Sequence, residues 1–178
     1  RLLDSPEVRR FLRATLGGYD VVHIHGLYRA PTSYAAWLAR QKQVPYIVSP
    51  HGSLDPYLHG KSTLGHPRWK RVYETLVDVP LLNRASRIHY TTEDERDKAA
   101  YLGLRAPGFV LPIGVDWSRF EALPPRGTFL HSLGVTGGPV AIFLGRLHFK
   151  KGFDVLIPAF ERVVGEVEGA QLVIAGPD

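Results

Sequence analysis

A chain of 178 residues, 44% apolar and 22% charged, has the composition of a folded globular protein, which excludes wholesale disorder, collagen and low-complexity readings. It contains no cysteine, which excludes disulfides, thiolate zinc sites and cysteine nucleophiles. Its formal charge of +5 points to an anionic partner or serves solubility alone, and no apolar run approaches the ~20 residues of a membrane span. The opening Arg1-Leu2-Leu3-Asp4 carries charge rather than a signal peptide, and without a methionine the chain reads as a piece of a longer soluble protein. Ser5-Pro6-Glu7 is a helix start, a capping serine followed by proline at the first helical position. Val21-Val22-His23-Ile24 predicts the first strand, residues 31–41 a helix, and Pro45-Tyr46-Ile47-Val48 a second strand. Trp69, Val72, Tyr73, Leu76 and Val77 recur at the spacing of one helix face, and Pro80 is set to end or kink that helix. Residues 87–91 predict a third strand. Thr92-Glu93-Asp94-Glu95 is a cap with an acidic first turn, opening a helix to about Leu102. Phe109-Val110-Leu111 predicts a fourth strand, and residues 140–144 and 172–175 two more, with a helix over 153–167 between them.

Strands alternating with helices predict an α/β fold built of βαβ units. The strands read as near-continuous apolar runs, so the parallel sheet is expected to be covered on both faces. One boundary stands out. Val110-Leu111-Pro112-Ile113-Gly114-Val115-Asp116 closes a strand, and a stretch rich in proline and glycine follows, including Pro124-Pro125-Arg126-Gly127 and Gly137-Gly138-Pro139. A domain junction is expected near 112–116, dividing the chain into 1–112 and 113–178. The second part, with two strands, is small for an independent core.

Ligands of open parallel sheets bind at the carboxyl ends of the strands. There the sequence places His25-Gly26, Ser49-Pro50-His51-Gly52, Thr91-Thr92-Glu93 and Gly145-Arg146-Leu147-His148-Phe149-Lys150-Lys151-Gly152. The last is the most informative. Lys150 and Lys151 open a helix, where cations face the positive end of the dipole at a cost of about 0.3–1 kcal/mol each. A bound polyanion would reverse that sign, and a helix N-terminus already offers free N–H groups to phosphate. The pattern fits a diphosphate cradle or a solvated basic turn. His51 in its His-Gly turn fits a cleft imidazole or a side chain that satisfies backbone. His23 and His25 share a strand face, but no third ligand stands at a metal-binding spacing, so no metal site is expected.

Gly145-Arg146-Leu147-x-x-x-Lys151-Gly152 before an amphipathic helix resembles the donor-diphosphate motif of family 4 glycosyltransferases, retaining enzymes of the GT-B fold. Val110-Leu111-Pro112-Ile113-Gly114-Val115-Asp116-x-x-x-Phe120 resembles their inter-domain segment, with Ile113 where asparagine is usual. Asp20-Val21-Val22-His23-Ile24-His25, Ser49-Pro50-His51-Gly52 and Leu172-Val173-Ile174-Ala175-Gly176 are similar to further stretches in the same order. The resemblance implies parts of two Rossmann-like domains: 1–112 on the acceptor side, and 113–178 as inter-domain segment and start of the donor domain. The family's first strand would precede Arg1, and its E-x7-E glutamates and base pocket would follow Asp178, so this chain alone is expected to be inactive.

By the same resemblance Gly145, Arg146 and Lys151 bind the donor diphosphate, the two cations standing in for a metal ion. His51 is implied as the catalytic histidine near the transferred sugar, and His25, Gly52 and Glu93 as lining the cleft on the acceptor side. The bland role of Glu93, in the cap, is the preferred one. The implied donor is a nucleoside-diphosphate sugar, UDP or GDP, with no separate cofactor. Implied partners are that donor and a glycan or lipid-linked acceptor, with no nucleic acid. The implied location is cytoplasmic, with peripheral contact at the inner membrane face. The stretch 53–71, with Gly60, Lys61, Gly65, Arg68, Lys70 and Arg71 running into the helix at Trp69, could dock on membranes; a helix packing its apolar face on the sheet is preferred. Two other readings remain: a GT-B-fold nucleotide-sugar epimerase, and a non-catalytic basic module binding anions or membranes. No G-x-G-x-x-G follows a strand, against hydride transfer, and no G-x-S-x-G is present, against an α/β-hydrolase.

Overall fold

The computed structural model describes residues 4–59, 67–135, 137–148 and 151–177. Gly60, Lys61, Gly65 and Lys150 lie outside the described residues, as do the side chains of Arg68 and Trp69. The chain divides into two compact units, Arg1–Val115 and Asp116–Asp178.

In the first unit, helix α1 (Pro6–Thr15) starts where Ser5 accepts a hydrogen bond from the Val8 N–H, with Pro6 in the first turn. Strand β1 (Val22–His25) leads to α2 (Ala30–Gln41), then β2 (Tyr46–Ser49). After α3 (Pro67–Tyr73), a π-helical turn (Glu74–Asp78) and α4 (Val79–Leu82), the chain enters β3 (Arg87–Tyr90), α5 (Glu93–Ala99) and β4 (Gly108–Val110). The sheet order is β1-β2-β3-β4, parallel throughout, with His25 beside Ser49, Val48 beside Ile88 and His89 beside Phe109. Each step to the next strand moves the same way, so right-handed crossovers place the connecting helices on one face.

Ile24, Val48, Ile88 and Tyr90 point to that face. They form the core with Leu16, Ala35, Ala39, Leu82 and Ala99. Burying each large side chain contributes roughly 1.5–3 kcal/mol. Side chains alternate along a strand, so the opposite face receives His23, His25, Ser49, His89 and Phe109. Ser49 and His89 are buried on this face too, so the expectation of strands buried on both faces fails at the edge strand β1 rather than across the sheet. In β1 only Ile24 is buried, while His23 and His25 are exposed among the described residues.

A second correction concerns residues 69–77. Of the apolar row expected to pack on the sheet, Leu76 and Val72 face outward, 71% and 44% exposed, while Tyr73 packs half-buried against the core and Val77 is half-buried. The buried row is charged, Lys70, Glu74 and Asp78, at successive steps of four. These groups are paired, which is what makes their burial tolerable. The Tyr28 hydroxyl donates to Glu74. The Tyr28 N–H and the Ser33 hydroxyl donate to the two Asp78 oxygens at 3.2 and 3.1 Å. The Lys70 ammonium lies 4.5 Å from the centre of the Tyr28 ring. The π turn widens the helix just before Pro80. That proline then falls in the first turn of α4, where its missing N–H is not needed.

The second unit carries α6 (Thr128–Ser132), β5 (Val140–Leu144), α7 (Phe153–Glu166) and β6 (Gln171–Ala175). Strands β5 and β6 pair in parallel across the α7 crossover, Val140 beside Gln171 and Leu144 beside Ala175. None of its described residues is buried.

Candidate functional site

Two places assemble the residues singled out in the sequence, one in each unit. In the first unit, β2 ends in a turn where His51 and Gly52 both take left-handed backbone, φ 52° and 70°. For histidine this conformation costs on the order of 1 kcal/mol and persists only where the surroundings impose it. His25, at the end of β1, meets this turn: its Nδ1 is 2.8 Å from Nε2 of His51, and the rings stack. A single proton bridges the two nitrogens. Burial, then the neighbouring His51 and His89, lower the His25 pKa from its ordinary value. Burial and His25 lower that of His23 in the same way.

Behind this pair a hydrogen-bonded row crosses the sheet. His89 Nε2 donates to the Leu111 carbonyl at 2.7 Å, so a neutral His89 presents Nδ1 as an acceptor. The Ser49 hydroxyl donates to that nitrogen at 2.8 Å, and accepts in turn from His23 Nε2 at 2.7 Å. His89 is held flat by Phe109, its ring stacked with the centroids 4.9 Å apart. Ser49 and His89 were not among the site residues expected from the sequence. Ser49 lies one strand over from His23 and His25, and His89 one strand further, so the register supplies the link.

A pocket of about 240 Å³ opens beside the turn, lined by His51, Gly52, Thr91, Thr92, Glu95 and Lys98 among others. Glu93 is not among its lining residues. Its exposed carboxylate pairs with Arg96 at 2.5 Å, while Glu95 lines the pocket. Thr92 caps α5 by accepting from the Glu95 N–H at 3.1 Å, as the T-x-x-E spacing predicts.

In the second unit, Gly145, Arg146 and Lys151 gather at the carboxyl ends of β5 and β6. The Gly145 N–H donates to the Ala175 carbonyl and the Leu147 N–H to the Pro177 carbonyl, each at 2.9 Å. The two backbones press so close at Gly176 that a Cβ there would stand 1.9 Å from the Gly145 carbonyl oxygen. The Lys151 stem passes Gly145, Cε lying 4.0 Å from where a Cβ on Gly145 would be. Lys151 and Arg146 are both exposed. Helix α7 opens directly after them at Gly152, φ 70°, with no side-chain cap. Two cations and an uncapped N-terminus thus meet at one strand end, a constellation suited to an anion. Among the described residues no group of three or more His, Asp or Glu is placed to hold a metal ion, and no helix is long and apolar enough to cross a membrane.

The model of the glycosyl transferase 4-like domain matches residues 1–114. The chain belongs to this family. Among curated relatives, the alpha-monoglucosyldiacylglycerol synthase of Streptococcus pneumoniae is 25% identical over 147 residues, 79% of this chain and 32% of that protein. Among solved structures, the sucrose-phosphate synthase of Thermosynechococcus elongatus superposes with a TM-score of 0.67. The alpha,alpha-trehalose 6-phosphate synthase of Burkholderia multivorans does so at 0.64. Each is 18% identical, and the match covers 96% of this chain and 41% of that one. The chain therefore spans about a third to two-fifths of the length of the proteins it matches. The expected fold class holds: α/β with parallel sheets flanked by helices, shared with GT-B glycosyltransferases.

Proposed function

We propose that the protein is a glycosyltransferase that moves a sugar from a nucleoside-diphosphate sugar to an acceptor hydroxyl, with retention of anomeric configuration. The observation that carries this reading is the pairing of Arg146 and Lys151 with the uncapped N-terminus of α7 at the ends of β5 and β6. Two fixed cations neutralise the diphosphate as it leaves, the task a divalent cation performs elsewhere. The bond between the anomeric carbon and the diphosphate oxygen breaks. The acceptor oxygen bonds to that carbon on the same face, and its proton passes to a diphosphate oxygen. His51 presents its imidazole to the transferred sugar, oriented by His25. The acceptor is a glycan or a lipid-linked glycoside. The outward row of Arg71, Val72 and Leu76 supports contact with a membrane that carries it.

Titration calorimetry with UDP, GDP and ADP tests the donor site. One diphosphate should bind selectively. Arg146→Ala/Lys151→Ala should weaken it by about 100-fold or more, taking about 1.5–3 kcal/mol for each charge-assisted bond. Equal binding of all polyanions, abolished by salt, would reduce the turn to an electrostatic patch.

A further inference from the structure

Glu95 does more than the sequence motif assigns to it. In a T-x-x-E capping box the glutamate returns to the N–H of the capping residue. Here Thr92 does its half of the box, but the Glu95 carboxylate goes elsewhere. One oxygen accepts from the Gly52 N–H at 2.6 Å. The other accepts from the Thr91 N–H at 2.7 Å and the Thr91 hydroxyl at 2.8 Å. The residue is 7% exposed. A buried carboxylate with three donors is therefore stretched between the histidine turn after β2 and the start of α5, 43 residues apart in sequence. The N–H it holds in the histidine turn is that of Gly52, which shares its left-handed backbone with His51 just before it.

We propose that Glu95 is the positioning residue of the site: its carboxylate holds the His51–Gly52 turn in its left-handed form and so aims the His51 imidazole. The inference rests on the reading of His51 as the histidine that meets the sugar. A neutral isostere keeps the shape of Glu95 but has only one acceptor oxygen, so it must release either Gly52 or Thr91. A shorter acid cannot span the two turns.

The test uses the full-length protein and three readouts. In Glu95→Gln the Gly52 amide should exchange with solvent at least tenfold faster, and the His51 ring resonances should shift. The kcat for sugar transfer should fall tenfold or more, while the donor KM and the Kd for the nucleoside diphosphate stay within twofold. Glu95→Asp should do no better than Glu95→Gln. Thr91→Val, which removes one of the three bonds, should give a smaller fall in the same direction, and it decides alone if Glu95→Gln does not fold. Unchanged Gly52 exchange overturns the clamp. Faster exchange with unchanged kcat overturns its role in the reaction. A wild-type protein that binds the diphosphate but transfers nothing sinks the proposed function instead, and Gly52 exchange still decides the clamp.

Discussion

Ser49 is fully buried and stands between two imidazoles, donating to His89 and accepting from His23. Ser49→Ala removes both bonds at once and leaves the buried His89 Nδ1 without a donor. We expect a loss of about 1–3 kcal/mol, read from urea denaturation. The histidines themselves set a pH dependence. Because the pKa values of His23 and His25 are lowered in the folded protein from the usual 6.5, the unfolded chain binds protons more readily below that pH. Their contribution is intact above about pH 6.5 and fades as pH falls through the lowered values. The denaturation midpoint should drop on acidification, and His23→Gln/His25→Gln should flatten that drop. At this scale the sequence shows that His23 and His25 share a face, which strict alternation dictates. It does not show that Ser49 and His89 complete the row, because strand register is a tertiary property.

The segment of α3, the π turn and α4 shows where helical periodicity misleads. Two rows can claim the inside of this helix, an apolar one at Val72 and Leu76 and a charged one at Lys70, Glu74 and Asp78. The structure buries the second. Hydropathy favours the first row. The decision comes from Tyr28 and Ser33, which lie far back along the chain and supply donors for the carboxylates. Asp78 carries the cost. Burial first, and then Glu74, push its carboxyl up from 3.8 to about 6. Between these values the folded state holds the proton more tightly, so this contribution is present in acid and lost as pH rises through about 6. Relative to Asp78→Asn, the wild type should lose on the order of 3 kcal/mol between about pH 4 and pH 7, at roughly 1.4 kcal/mol for every tenfold difference in proton affinity between the folded and unfolded states. Matched denaturation curves of the two proteins check this. Leu76→Glu, on the outward face, should change stability by less than about 0.5 kcal/mol in the same assay.

Over the whole molecule the core is unevenly shared. Among the described residues, every buried hydrophobic residue, from Leu16 to Ala99, lies in the first unit, and the second exposes Ile142, Leu144, Val155 and Ile157. Residues 1–115 expressed alone should therefore unfold in one cooperative thermal transition, whereas residues 116–178 alone should show none by calorimetry. A cooperative transition in the short piece would show that its two strands and one long helix suffice for a core.

The alternation of strand and helix, the caps at Ser5 and Thr92, and the basic turn after β5 were all legible in the residues. Each is set by neighbours within a few positions, through hydrogen bonds and periods that the chain carries locally. Three further outcomes depend on partners far along the chain. Tertiary structure alone decided that the histidines join through Ser49, that a charged helix face turns inward, and that Glu95 rather than Glu93 reaches the histidine turn. A buried polar group goes where its donors are, and only the folded chain brings those donors within reach.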